Sequence, residues 1–350
     1  MNITMEQVGY HDLPELQKLF TESFSGEVNP SHIKRRIKYM RQFYYFFRPF
    51  TRISPWAKNL FNLYVIKYNG TIGGFCQVSY INTQKLHLDY IAVCKQFRGQ
   101  GLGTWALRKL LAEIADVNNL DVVLEVKSGN PAYHLYKRLG FFTHAHILQY
   151  EKTFEPNYAT LVPPLLPGLR RLEDVDRNQL YELYRNILPE KLQRNIKQDY
   201  QRFNPSLFVR NLDWIKNRLM KKIKREFVVA IDKKIIASLE IHSCPKTASH
   251  IINVMLHSDY ENLRKSLFSY ALYLLRKKYK SGTAITTIYN DNIRKQQTLD
   301  KLGFSKQKNY HLMVRHPKPE SKKIPITPKI MTCPEKRFTP TAKRGNSGNC

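Results

Sequence analysis

The chain has 350 residues, a length that suggests about two domains. Hydrophobic residues make up 42% and charged residues 24%, so the chain can bury real cores and is not a disordered acidic polypeptide. Lys and Arg number 57 against 28 Asp and Glu, giving a formal net charge of +29. This excess favours an anionic partner, and an acidic protein, RNA or a membrane surface would each fit it.

The cysteine and hydropathy patterns narrow the cellular setting. The five cysteines are widely spaced and none forms a C-x-x-C pair, so the sequence predicts neither a disulfide framework nor a metal site. The first ten residues lack a basic segment followed by an apolar core, and there is no apolar run of about 18 residues. We therefore expect a cytoplasmic protein.

The first part of the chain alternates strand and helix patterns. Asn69-Gly70 separates two β-rich runs and is a strong hairpin signal. Gly140 stands where a short helix would end in a left-handed residue. In chain order, the pattern predicts strands over Leu63–Tyr68, Gly73–Tyr80 and His87–Val93, a helix over Thr104–Ala115, a strand over Asp121–Val126 and a helix over Pro131–Leu139. The fold class is mixed α/β.

An internal repeat is visible in the sequence. Leu139-Gly140-Phe141 recurs 163 residues later as Leu302-Gly303-Phe304. At the same offset, the apolar strand 89–93 corresponds to residues 252–256. Two copies of one fold explain this pattern most simply, and two unrelated α/β domains with a chance triplet are the alternative.

Composition marks the boundaries of the two copies. Residues 155–168 are rich in Pro and Gly, which favours a linker. From 317 onward, Lys, Pro, Thr and Ser dominate, and such a segment cannot bury enough apolar surface to fold. We predict domains over 1–154 and 169–316, joined by that linker and followed by a disordered basic tail over 317–350.

A glycine-rich loop follows the strand that ends at Val93. It runs Gln96-Phe97-Arg98-Gly99-Gln100-Gly101-Leu102-Gly103 and leads directly into the predicted helix. Glycines let the backbone approach a ligand closely, and their amides together with a helix N-terminus attract phosphate groups. The order strand, glycine loop, helix favours a pyrophosphate site over a glycine-rich turn that binds nothing.

These residues resemble the GCN5-related N-acetyltransferases, the GNAT family. The family signature Arg/Gln-x-x-Gly-x-Gly/Ala is matched by Arg98–Gly103, and its second block by Leu124-Glu125-Val126, Asn130-Pro131-Ala132 and 135–141. The resemblance is good over residues 3–154 and weak over 168–316. It implies two tandem GNAT-like domains, of which the first transfers an acetyl group from acetyl-CoA to an amine by direct attack in a ternary complex.

The resemblance also assigns site residues. The loop amides would hold the diphosphate of the cofactor, and the strand before the loop would offer backbone groups to the pantetheine arm and to the thioester oxygen. The cofactor-binding residues so implied are Ile91, Ala92, Val93, Arg98, Gly99, Gln100, Gly101, Leu102, Gly103, Thr104, Asn130 and Tyr136.

Two residues are candidates for catalysis. Glu125 alternates with three apolar strand residues and resembles the Glu that deprotonates the acceptor amine through water; an exposed carboxylate paired with Lys127 is the alternative. Tyr136 resembles the tyrosine that protonates the leaving thiolate, and a residue packing on the sheet is the alternative. Asp89 is a weaker base candidate, for which we favour a structural role, and Cys94 is expected to pack as a small apolar residue.

The second copy lacks these features at the offset of 163. Arg98 corresponds to Glu261, and Gly101 and Gly103 correspond to Arg264 and Ser266. Glu125 corresponds to Ile288 and Tyr136 to Leu299. A carboxylate and bulky side chains would thus stand where a diphosphate needs bare backbone, so we expect a degenerate, catalytically silent copy.

Basic and aromatic residues are concentrated in segments 34–63 and 194–227. In the family, this region is variable and walls the acceptor site. The segments favour an acidic or nucleic-acid-associated acceptor or a membrane surface, or else a packed aromatic core with a solvated basic face. The competing function is therefore a non-catalytic basic module that docks on RNA, the ribosome or an anionic membrane. The acceptor amine stays open between a protein N-terminus, lysine and a small amine, and two fused copies allow a monomer.

Overall fold

The computed structural model describes residues 2–23, 41, 44–47, 62–155, 162–187, 203, 222–290 and 292–318. Its strands are β1 Ile3–Gln7, β2 Leu63–Tyr68, β3 Thr71–Asn82, β4 Lys85–Val93, β5 Asp121–Lys127, β6 Phe142–Phe154, β7 Leu169–Arg171, β8 Ile223–Ile231, β9 Lys234–Cys244, β10 Ser249–Leu256, β11 Gly282–Tyr289 and β12 Ser305–Arg315. Its helices are α1 Leu13–Ser23, α2 Tyr44–Phe47, α3 Leu102–Leu110, α4 Ala132–Arg138, α5 Arg177–Ile187, α6 Arg264–Lys278 and α7 Ile293–Lys301.

The chain divides into two compact units. Unit 1 comprises Met1–Ser79, Leu88–Asn119 and Pro317–Cys350, and unit 2 comprises Tyr80–His87 and Leu120–His316. The division follows spatial proximity, so it does not coincide with the two halves of the sequence. The predicted domain limits at 154 and 169 stay a prediction.

Unit 1 contains the antiparallel strands β1, β2 and β3 and the helix that follows the glycine loop. Strand β1 pairs with β2, and β2 pairs with β3 through the Asn69-Gly70 turn. Both turn residues have positive φ, 47° and 84°, as a two-residue hairpin requires. The buried apolar side chains of this unit form two clusters. One cluster includes Leu13, Leu16 and Phe75, and in the other Trp105 of α3 packs against the sheet.

In the described part of the chain, unit 2 contains a nine-strand mixed sheet. In spatial order it consists of the first residues of β4, then β5, β12, β6, β11, β10, β9, β8 and β7. The β4–β5 and β10–β11 pairs are parallel, and the other pairs are antiparallel. Leu267, Phe268 and Leu275 of α6 are fully buried against the β10 side of this sheet.

The two halves of the sequence exchange their last strands within unit 2. Strand β12 from the second half lies between β5 and β6 of the first half, and β6 lies between β12 and β11 of the second half. Ile147 of β6 is directly opposite Tyr310 of β12, and these positions are 163 residues apart. The repeat seen in the sequence is therefore a pseudo-twofold symmetry about this residue pair, which confirms the prediction of two tandem mixed α/β copies.

The predicted elements of the first copy are confirmed with small changes at their ends. The hairpin, the strand before the glycine loop, β5 and the short helix before Gly140 are all present. The helix after the loop begins at Leu102, two residues earlier than expected, and its last part, Leu111–Asp116, is a π-helical segment.

Several expectations concern residues outside the described ranges. They include most of the basic aromatic segments 34–63 and 194–227, the tail from 319 onward, and residues 156–161 of the proposed linker. Among the described helices, none is both long and apolar enough to cross a membrane.

Candidate active site

The glycine loop joins β4 to α3 in unit 1. After Val93 the chain forms a single 3₁₀ turn over Lys95–Phe97, and the loop then turns sharply at Gly99 and Gly101, whose φ values are 78° and 82°. These left-handed conformations favour glycine because an L side chain would be strained there. A Cβ atom at Gly99 would meet nothing within 4 Å in the described part of the structure, so one side of the loop backbone is open.

The N-terminus of α3 presents amides that lack a helical partner. The first hydrogen bond of the helix, 2.9 Å long, runs from Trp105 N to Gly101 O, so the amides of Leu102, Gly103 and Thr104 precede the hydrogen-bonded part of the helix. Gly101 is the N-cap and has no side chain to satisfy them. A helix end without a side-chain cap carries partial positive charge and is suited to bind an anion.

Side chains of the loop hold its shape. The Nε atom of Arg98 donates to the carbonyl oxygen of Val93 at 3.1 Å, and the amide of Gln100 donates to Gln96 O at 2.9 Å. Arg98 is exposed, and its remaining guanidinium N–H groups extend the positive character of the loop. Gly103 packs closely on Val93, since a Cβ atom there would lie 3.4 Å from a Val93 methyl group.

The end of β4 lies tightly against β3. A Cβ atom at Gly74 would be 2.6 Å from the carbonyl oxygen of Ala92, so only glycine allows this approach. Cys94 N donates to Gly73 O at 2.9 Å, and the Cys94 thiol donates to Ile72 O at 3.3 Å. Burial raises the pKa of this thiol, which agrees with the packing role expected for Cys94.

Asp89 has a local partner in β3. The hydroxyl of Ser79 donates to its Oδ1 atom at 2.8 Å. Burial, and secondarily the charge of Asp89, raises the pKa of the fully buried Cys76 thiol. The hydrogen bond from Ser79 supports the structural role expected for Asp89.

Glu125 lies on the exposed face of β5 in unit 2. Val122, Leu124 and Val126 are at most 4% exposed, whereas Glu125 is exposed, which confirms the predicted alternation. Among the described residues it forms no ion pair, so the alternative of a pair with Lys127 is not observed. In register it lies opposite Leu312 of the exchanged strand β12.

The other two predicted residues of the second block are Asn130, which lies two residues before helix α4, and Tyr136, which lies within it. The side-chain oxygen of Asn130 accepts a hydrogen bond at 2.9 Å from the amide of Ala132, the first residue of the helix. Tyr136 is 7% exposed, and its ring lies 5.8 Å from that of Phe141 in an edge-to-face arrangement. Asn130, Tyr136 and Glu125 thus belong to unit 2, and the glycine loop belongs to unit 1.

The second half shows what replaces the glycine loop. Between β10 and α6 there is a 3₁₀ segment, Ser258–Leu263, that contains no glycine. Glu261 and Arg264 form a bidentate ion pair there, with Arg264 Nε 2.7 Å from Glu261 Oε2. Arg264 is 4% exposed, so bulky charged side chains occupy the position where the first half has open backbone.

Two of the predicted correspondences can be checked by hydrogen-bond register. Tyr136 and Leu299 match, because each carbonyl accepts from the phenylalanine five residues later, at 3.1 and 3.0 Å. The correspondence of Glu125 with Ile288 is wrong by one residue. Glu125 lies opposite Leu312, and the symmetric position opposite Gln149 is held by Thr287. The repeat therefore gains one residue between β11 and the end of α7.

The family signature fits the glycine loop in two registers, Gln96–Gly101 and Arg98–Gly103. In the structure the two positive-φ glycines of the loop are Gly99 and Gly101, and the helix starts immediately after them. The first register therefore places both signature glycines in the turn. Gln96, which the second register omits, joins the candidate site residues on this ground, and the signature itself was the signal that could have found it.

Comparisons with known proteins agree with this geometry. Residues 14–141 match the acetyltransferase (GNAT) family. A stretch of 72 residues is 40% identical to an N-alpha-acetyltransferase of Sulfurisphaera tokodaii, covering 19% of this chain and 43% of that protein. The chain thus spans less than half the length of this curated relative.

Two solved structures share the fold over most of the chain. A GCN5-related N-acetyltransferase from Sphaerobacter thermophilus has a TM-score of 0.60 and 14% identity, covering 92% of this chain and 98% of its own. A tandem GNAT protein from the clavulanic acid biosynthesis pathway has a TM-score of 0.58 and 12% identity, covering 91% of this chain and all of its own. The match to the GNAT family is thus confined to residues 14–141, whereas the similarity of fold extends over both halves of the chain.

Proposed function

We propose that the first half of the chain uses acetyl-CoA to acetylate an amine and that the second half is catalytically silent. The observation that carries the proposal is the Gly99–Gly101 turn, which leaves one backbone face open and ends in an uncapped helix N-terminus. GNAT enzymes use acetyl-CoA, and this turn has the amides that a diphosphate needs.

The loop residues fit the cofactor by their chemistry. The amides of Gly99 to Thr104 would hold the diphosphate, and the exposed Arg98 would add charge beside it. Ile91, Ala92 and Val93 would offer main-chain groups to the pantetheine arm. When bound, acetyl-CoA supplies an activated acetyl group. Ion pairing between Glu261 and Arg264 supports the view that the second half does not bind it in the same manner.

Glu125 is the candidate base for the acceptor amine. An ammonium group is not nucleophilic, so the acceptor must lose a proton before it attacks, directly or through water. Glu125 is exposed and has no ion-pair partner among the described residues, so it is free to accept that proton. We assign to Tyr136, which is almost completely buried, the protonation of the leaving thiolate.

The acceptor is proposed as a primary amine. The partial similarity to an N-alpha-acetyltransferase makes the α-amine of a peptide the first acceptor to test, ahead of lysine side chains and polyamines. The strong positive charge of the chain favours acidic acceptors, because opposite charges raise the rate of encounter.

The decisive experiment is calorimetry with acetyl-CoA. Arg98→Glu should weaken binding by about a hundredfold, since it removes a charge-assisted contact and places a negative charge beside the diphosphate. Lys95→Glu is the matched control, because Lys95 is exposed in the adjoining 3₁₀ turn and its loss should change affinity by less than about threefold. A wild-type protein that gives no heat with acetyl-CoA would contradict the proposal and favour a non-catalytic basic module.

Thiol release tests the base. Glu125→Gln should keep the affinity for acetyl-CoA and lower turnover by about 10²-fold or more near neutral pH. Glu113→Gln makes the same chemical change at a carboxylate that pairs with Lys109, and it should leave turnover unchanged. An unaltered rate for Glu125→Gln would remove that residue from the mechanism.

A further inference from the structure

A basic cleft opens in unit 2. Its residues all belong to the second half of the sequence, which has no role in the proposed reaction. It has a volume of about 480 Å³, within the range of small-molecule sites. One wall is formed by the edge strand β7 and its neighbour β8, and the other by helix α6. Its lining residues are Leu169, Arg170, Arg171, Arg225, Phe227, Tyr270, Leu274 and Lys278.

The strand wall gathers cations on one face of the sheet. Arg171 of β7 is directly opposite Phe227 of β8, so the two side chains share a face. Arg225 is two residues before Phe227 and points to the same side. The wall therefore has an apolar floor at Phe227 with an arginine beside it on each strand.

The helix wall likewise combines apolar side chains with a cation. Tyr270, Leu274 and Lys278 follow one another at intervals of four residues, so they form one stripe along α6. The Tyr270 ring meets the Phe227 ring edge-to-face at 5.7 Å, which joins the two walls at the apolar end. Lys278, in the last turn of the helix, adds a third cation at the end of the cleft away from the contact between Tyr270 and Phe227.

The positive charge of the cleft is not neutralised within the described chain. No carboxylate is among the lining residues. Arg170 is held by a bidentate pair with Asp176, with Nη2 to Oδ1 at 2.7 Å, whereas Arg171, Arg225 and Lys278 form no ion pair among the described residues. The pKa of His250 is lowered to about 4, mainly by burial and secondly by the positive charge of Arg225. Such an effect is expected of a cation that has no carboxylate partner.

The fold itself does not require an arginine at the position of Arg171. In unit 1, the strands β1 and β2 repeat the β7–β8 pair, and Gln7 lies opposite Tyr64 where β7 and β8 have Arg171 and Phe227. A nearby cation of that sheet, Lys67, lies between Glu6 and Asp12, 3.3 Å from Asp12. At this equivalent pair of strands, the second half thus has an arginine where the first half has a neutral glutamine.

We propose that this cleft binds a phosphorylated small molecule with an apolar or aromatic body, such as a nucleoside monophosphate. Arg171, Arg225 and Lys278 would bind the phosphoryl oxygens, because guanidinium and ammonium groups form strong charge-assisted hydrogen bonds to phosphate. Tyr270, Leu274 and Phe227 would cover the body of the ligand. The volume of the cleft favours a compact ligand over an extended nucleic acid strand.

The test uses the full-length protein and calorimetry with adenosine monophosphate, adenosine, inorganic phosphate and a single-stranded RNA oligomer. We expect the monophosphate to bind and adenosine to bind at least about tenfold more weakly, since it lacks the charged contacts. Arg225→Ala and, independently, Lys278→Ala should each weaken monophosphate binding about tenfold. Lys277→Ala, one residue from Lys278 and outside the cleft, is the matched control and should change it less than about twofold.

Acetyl transfer separates this proposal from the proposed function. Arg225→Ala should leave thiol release from acetyl-CoA unchanged, and Arg98→Glu should leave monophosphate binding unchanged. A loss of monophosphate binding in Arg98→Glu would place the ligand at the glycine loop and overturn the proposal. So would equal effects of Lys277→Ala and Lys278→Ala, the absence of heat with both monophosphate and phosphate, or RNA binding that the monophosphate does not displace. A folded variant is verified by an unchanged melting temperature.

Discussion

Lys295 is a buried lysine in α7, and its replacement by methionine should stabilise the protein near neutral pH. Its ammonium group lies 5.9 Å from the centre of the Phe268 ring and the residue is 9% exposed. Burial lowers its pKa to about 8, with the charge of Arg264 acting in the same direction and Glu261 opposing the shift. The folded state therefore holds this proton less tightly than the unfolded chain does.

The magnitude follows from the two pKa values. With an ordinary value of 10.5 and a folded value of about 8, keeping the charge buried at pH 7 costs about 3 kcal/mol of folding free energy. Methionine has a similar length and no charge, and it loses the cation–π contact, which is worth about 1 kcal/mol. Lys295→Met should therefore raise the free energy of unfolding by about 2 kcal/mol near pH 7.

The pH dependence of stability tests the sign of the effect of Lys295. A lysine whose folded pKa is lowered destabilises the fold while it is protonated, and this cost disappears as the pH rises from about 8 to about 10.5. Urea denaturation of wild type and Lys295→Met near pH 7 and near pH 10 measures the difference. Lys301→Met, an exposed lysine of the same helix, is the control. A variant that is less stable at pH 7, or a difference that does not vary with pH, would refute the reasoning.

Four further substitutions test the geometry described above. Gly101→Ala, at a φ of 82°, should cost about 1 kcal/mol of stability and weaken acetyl-CoA binding, measured by thermal melting and calorimetry; an unchanged affinity would contradict the role of the loop. Asn130→Ala and Asn292→Ala should each cost about 1 kcal/mol, because each side chain accepts a hydrogen bond from an amide in the first turn of a helix, and only the first should change cofactor affinity. Met313→Ala, fully buried in β12, should cost about 3 kcal/mol in urea denaturation, and a neutral result would contradict the exchanged strand.

Local chemistry explains why much of the site was predictable from the sequence. The Asn69-Gly70 turn needs two positive φ angles, and few residues other than Asn and Gly tolerate them. The same holds for Gly99 and Gly101, whose spacing before an amphipathic helix already indicated the loop. The exposed position of Glu125 followed from the alternation of β5, because side chains of a strand point to opposite faces in turn.

Long-range arrangement explains why the rest was not predictable. Strands β6 and β12 have similar patterns, and nothing in either tells which neighbour it pairs with, so the exchange around Ile147 and Tyr310 is visible only in the sheet. A constant offset of 163 also fails at Glu125, because one added residue near α7 shifts the register. Arg171, Arg225 and Lys278 are far apart in sequence, and only the packing of α6 on β8 brings them to one cleft.

The interleaved order β5–β12–β6–β11 has a simple evolutionary explanation. An ancestral pair of identical subunits that traded their final segments, followed by gene fusion, would produce this arrangement. After fusion, the C-terminal half is free to drift away from its original chemistry, but its last eleven residues of sheet are not, since the N-terminal half is built around them. Truncation before Ser305 should accordingly inactivate the N-terminal half of the polypeptide, although every residue of that half is retained.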